Sequence, residues 1–199
     1  MLQGGDFTSV TNLSNKDRET LQFIYERNKE NKEWEYVDIN ADGKEEIIYR
    51  EIDTEWTNRK RIIAIFSFVG RKCEMILLDT IDNTEYYFIA DSKPVYYAFH
   101  SGVYGYELFC VCNINNNGKI ETNMRLEAYD FSYVDPDYKG DDWWNNEDIL
   151  IDSQGMVYKI TVNENGNANE RIVQEKEYLE VFETEIGSYT FYEGEKGYE

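Results

Sequence analysis

The stretch Trp34-Glu35-Tyr36-Val37-Asp38-Ile39-Asn40-Ala41-Asp42-Gly43-Lys44-Glu45-Glu46-Ile47-Ile48-Tyr49 decides how the chain is read. Both ends carry aromatic and β-branched residues, the pattern of pleated, half-buried strands. The middle is different. Asp38, Asn40 and Asp42 set oxygen-bearing side chains at alternate positions, Gly43 follows, and Glu46 stands three residues further on. Glycine permits the tight turn, and alternate oxygens aim inward at a common centre, as in loops that wrap calcium. The stretch therefore reads as strand, loop, strand. An EF-hand is excluded: it needs an acidic residue where this chain has Tyr49, and a helix where Ile47-Ile48-Tyr49 reads as strand.

In the calcium reading, Asp38, Asn40 and Asp42 supply side-chain oxygens and Lys44 its backbone carbonyl. Glu46 closes the set directly or through water. The ion would be a structural staple. In the metal-free reading, Asp38 and Asp42 are turn formers that accept backbone N–H groups. A second segment, Asn113-Ile114-Asn115-Asn116-Asn117-Gly118-Lys119-Ile120-Glu121, repeats the layout 113 − 38 = 75 residues later, with Asn in place of both Asp residues. Lacking those carboxylates, it would hold calcium weakly.

Moving outward, strand patterns follow in close succession: Glu46 to Ile52, Arg61 to Val69, Cys73 to Leu78, Glu85 to Ala90, Val95 to His100, Tyr104 to Cys112 and Ile120 to Tyr129. Turns rich in Gly, Asn, Asp and Ser separate them. Ile149 to Ile151 and Met156 to Val162 read as a hairpin. Two segments are helical. Ser14 precedes Lys16-Asp17-Arg18-Glu19, and Leu21, Ile24 and Tyr25 share one face, so a helix runs to about Asn28–Asn31. Tyr178, Val181, Phe182 and Ile186 fall at helical spacing before Gly187, which predicts a helix over 173–185. The fold class is mainly β (α+β). It is an antiparallel meander of short strands in one sheet or several small, propeller-blade-like ones, with an N-terminal and a C-terminal helix. Residues 1–12 read as a polar lead-in to a single domain over 13–199.

The 199 residues suffice for one domain with a sizeable core. Forty acidic residues against 20 basic ones give a net charge of −20. Phosphates need the opposite field, so a nucleic-acid partner is excluded, and an anionic membrane surface is disfavoured. No apolar run is long enough for a spanning helix. The first residues lack a basic region followed by an apolar stretch, so no signal peptide is visible, which fits a cytosolic protein or a trimmed chain.

Of the three cysteines, Cys110 and Cys112 flank Val111 in a strand and are poorly placed to bond each other. Either all three are buried thiols, or Cys73 pairs with one of them. Zinc is disfavoured with His100 as the sole histidine. His100 is also the sole base for a Ser-His-Asp site, and no Gly-x-Ser-x-Gly elbow or phosphate-cradling loop exists. The reading is therefore non-enzymatic, with a hydrolase as the weakest alternative. Trp143 and Trp144 lie in the acidic, turn-rich stretch 130–148 and are the candidate ligand-binding pair for a glycan or a surface protein.

The Asp38-x-Asn40-x-Asp42-Gly43-x-x-Glu46 segment, set between Trp34-Glu35-Tyr36-Val37 and Ile47-Ile48, resembles the calcium loops of FG-GAP and VCBS-type repeats. More loosely, from Thr20 to Gly187, the chain is similar to acidic, tyrosine-rich surface lipoproteins and secreted proteins of Gram-positive gut bacteria. The resemblance implies an extracellular or cell-surface module with a divalent-cation site and no enzymatic activity. The chain departs from the pattern in being too short for a full propeller at about 40–50 residues per blade.

Overall fold

A computed structural model describes residues 2–27, 31–39, 42–53, 59–79, 85–90, 93–101, 105–115, 118–131, 154–164 and 166–187. The strands are β1 (Lys32–Val37), β2 (Glu46–Asp53), β3 (Arg59–Val69), β4 (Lys72–Leu78), β5 (Glu85–Ala90), β6 (Lys93–Ser101), β7 (Gly105–Ile114), β8 (Ile120–Asp130), β9 (Met156–Glu164) and β10 (Asn167–Val173). They form one antiparallel sheet in the order β1-β2-β3-β5-β6-β7-β8-β9-β10, with β4 also paired to β3. The meander is thus one continuous sheet, not a set of small blades. β4 and β5 share one edge of β3: β4 pairs with Ala64 to Val69, and β5 meets β3 at Ile62↔Tyr87.

Alternation along the strands sorts the side chains into separate clusters. Ile47 and Tyr49 pack with Ala64 and Phe66 beneath helix α1 (Asn15–Arg27), which contributes Leu21 and Ile24. Phe109, Leu126, Tyr158 and Ile160 pack beneath helix α2 (Glu175–Glu185), which contributes Tyr178 and Phe182. Between these residues in sequence, Ile48 and Ile65 join a different cluster with Ile114, while Leu108, Cys110 and Cys112 form another.

Both helices carry their expected end signals. The Ser14 hydroxyl accepts the Asp17 N–H at 3.1 Å, capping α1. At the end of α2, the Gly187 N–H donates to the Glu183 carbonyl at 3.1 Å with Gly187 at φ 78°, a left-handed stop. The structure departs from expectation at two places. The first dozen residues are more than a polar lead-in: Leu2, Phe7 and Val10 are buried in the α1 cluster. Val10 bridges to Cys73, the Thr11 N–H donates to the Cys73 carbonyl, and the Asn12 side chain bonds both the N–H (2.7 Å) and the carbonyl (2.8 Å) of Met75. This segment runs along β4 as a partial extra strand. The second departure is β10. Met156 to Glu164 pairs with β8 and with β10, and Ile149 to Ile151 lies outside the described residues.

Candidate metal centre

β1 and β2 pair in register from Lys32↔Glu51 to Val37↔Glu46, so the Asp38–Glu46 segment is the turn of a hairpin. β2 follows where an EF-hand would need helix. Gly43 sits at φ 83°, a conformation that L side chains rarely adopt. The Asp38 carboxylate accepts the Asp42 N–H on Oδ1 at 3.1 Å and the Gly43 N–H on Oδ2 at 2.9 Å. Asp42 accepts the Lys44 N–H at 2.9 Å, and its other oxygen lies 3.5 Å from the Lys44 ammonium. Asp38 and Asp42 are thus the turn formers that the metal-free reading expects. A carboxylate offers about four lone-pair sites, so these bonds leave capacity for a cation. Asn40 lies outside the described residues.

Glu46 is the unusual member. It is 1% exposed, accepting the Ile39 N–H on Oε2 and the Ser67 hydroxyl on Oε1, each at 3.0 Å. Both donors are neutral, and no ion pair reaches Glu46 among the described residues. A buried carboxylate without a counter-charge costs several kcal/mol. Among the described residues no three His, Cys, Asp or Glu side chains gather to hold a metal. An ion here would therefore draw on a mixed oxygen set: Asp38, Asp42, the Lys44 carbonyl, and Glu46 at the base. Such an all-oxygen set suits calcium.

The second turn is built differently. Asn115 is its hub: its Oδ1 accepts the Lys119 N–H at 3.0 Å, its carbonyl accepts the Gly118 N–H at 2.9 Å, and its Nδ2 donates to Glu121 at 2.6 Å. An amide N–H₂ pointed at the closing carboxylate occupies the place a cation would take.

A second buried acid, which sequence reasoning missed, lies in β8. Glu127 is 2% exposed. Its Oε1 accepts the Tyr129 hydroxyl at 2.8 Å and the Tyr106 hydroxyl at 3.2 Å, with the Arg125 guanidinium at 3.4 Å. The Lys159 ammonium stands 3.4 Å from Oε2 and 3.1 Å from Glu170. Burial, together with the Glu127 charge, pushes the Tyr106 hydroxyl up to about 12. The available signal was the alternation Arg125-x-Glu127-x-Tyr129, three polar groups on one strand face.

The three cysteines are free and buried. Cys73 packs in the α1 cluster, away from Cys110 and Cys112. Burial and the neighbouring Cys112 push the Cys110 thiol up to about 11, which makes it an inert hydrophobe. Trp143 and Trp144 lie outside the described residues, as does the His100 side chain.

The chain matches no family model, no curated protein and no solved structure. Among the described residues no helix is long and apolar enough to cross a membrane.

Proposed function

We propose that the protein is a non-enzymatic β-sheet module of the cell surface or extracellular space, whose first turn takes up calcium as a structural staple. One observation carries this reading: Glu46 is buried with no counter-charge among the described residues, and it holds the Ile39 N–H of a turn that also carries Asp38 and Asp42. A divalent ion supplies the missing positive charge and draws on lone pairs that the backbone leaves free. The compartment follows from the resemblance of the loop to FG-GAP and VCBS-type repeats. An extracellular module of this kind would hold calcium at about 10⁻⁴–10⁻³ M.

Thermal melting in calcium, in magnesium and in chelator tests the proposal. Calcium at a hundred times its dissociation constant adds about 2.7 kcal/mol, and a domain of this size then melts roughly 5–10 °C higher. The double variant Asp38→Asn, Asp42→Asn should fold and lose that response. Identical melting of the wild type in calcium and in chelator sinks the proposal.

A further inference from the structure

We propose that the Asp38–Glu46 turn and the tip of the β7–β8 hairpin order as one cooperative unit, so that a cation held in the first turn also fixes the second. The cation arm of this inference rests on the reading above; the coupling itself rests on packing. Ile39 lies inside the first turn and is only 9% exposed. It belongs to the same apolar cluster as Ile114 and Ile120. Those two residues face each other as the last pair of the β7–β8 hairpin and flank the Asn115–Lys119 turn. Ile48 and Ile65, both fully buried, floor the cluster.

The backbone links Ile39 to the acid site as well. The Ile39 N–H is the group that Glu46 Oε2 holds at 3.0 Å. A path therefore runs from the Asp38 turn through Glu46 and Ile39 into the apolar cluster that also holds Ile114 and Ile120. A turn with its apolar residue in solvent would open independently. Here, opening the first turn withdraws Ile39 from the cluster in which the base of the hairpin tip packs. Linkage is reciprocal: whatever lowers the opening frequency of one turn lowers it for the other.

Amide hydrogen exchange on the full chain reads this directly. Asp42 and Gly43, which donate to Asp38, report the first turn. Gly118 and Lys119, which donate to Asn115, report the second. Ile160, on a strand paired on both sides, reports the sheet. Saturating calcium should slow both turns about tenfold and leave Ile160 unchanged. In Ile39→Ala, calcium should still slow Asp42 and Gly43. Gly118 and Lys119 should stop responding and exchange about tenfold faster than in the wild type. Ile39→Val serves if the alanine variant fails to fold. Leu21→Ala, on the buried face of α1, should leave the second turn unaffected.

If calcium slows the first turn alone in the wild type, the coupling is overturned and the cation reading survives. If calcium slows neither turn, the cation reading falls and the Ile39→Ala comparison decides alone. Faster exchange at Gly118 and Lys119 then upholds the coupling, and unchanged exchange overturns it.

Discussion

Glu46 and Glu127 are both carboxylates sunk into the same sheet, 1% and 2% exposed, yet their surroundings are opposite. Glu127 sits among two tyrosine hydroxyls, a guanidinium and an ammonium, so the protein supplies its counter-charge from its own residues. Glu46 is given two neutral donors and no cation among the described residues. The contrast separates two uses of a buried acid. One is a closed knot that locks strands β7, β8 and β9 together. The other leaves a buried acid with no cation beside it among the described residues.

The largest expected effect breaks the first half of that contrast. Glu127→Ala removes a shared acceptor of two tyrosine hydroxyls and one of the two carboxylates beside Lys159, and should cost about 3 kcal/mol in denaturant titration, equally with and without calcium. Glu46→Gln sharpens the other half. In chelator, removing this buried charge should leave stability within about 1 kcal/mol of the wild type, whereas in calcium the variant should forfeit the whole ion-induced gain. Equal losses at both sites in chelator would erase the distinction.

Cys110 gives a pH-dependent check on the sheet between these two acids. Its thiol is pushed up from an ordinary 9.0 to about 11, because burial penalises the thiolate. The unfolded chain loses this proton first, so the contribution is whole below pH 9. It shrinks as pH rises toward 11, at up to about 1.4 kcal/mol per unit. Cys110→Ala should flatten part of the alkaline limb of the stability profile.

The smallest effects compare the two turns. Gly43 and Gly118 sit at φ 83° and 70°, and an added Cβ at either would meet nothing within 4 Å. Alanine at either place therefore costs strain alone, about 1 kcal/mol. Only Gly43→Ala should also weaken the calcium response, since relief of its strain would shift the N–H that Asp38 holds.

Much of this architecture was legible from residues alone, and for definable reasons. Strands β2 to β8 announce themselves because their buried faces are aromatic or β-branched, and α2 because Tyr178, Phe182 and Ile186 recur at helical spacing. The Asp38 turn was legible because oxygen spacing and glycine position are local properties. β10 was not: Asn167 to Arg171 is polar and exposed, so no alternation marks it, and only its neighbour β9 makes it a strand. The burial of Glu127 depends on Tyr106 and Lys159 arriving from other strands, and a glutamate between Leu126 and Ala128 looks like any solvent-facing position. The counter-charge deficit at Glu46 is likewise invisible until Ser67 and Ile39 are seen to be its partners. Leu2, Phe7 and Val10 escaped notice because three isolated apolar residues carry no period.

The way Asn12 grips Met75 has a practical consequence. Its amide imitates a peptide group, and with Thr11 it occupies hydrogen-bonding positions on the outer side of β4. A chain clipped after residue 12 would uncover that side, leaving adhesive backbone beside the newly bared Phe66 and Cys73. Such a fragment should self-associate, and light scattering after limited proteolysis would register it as growing particle size.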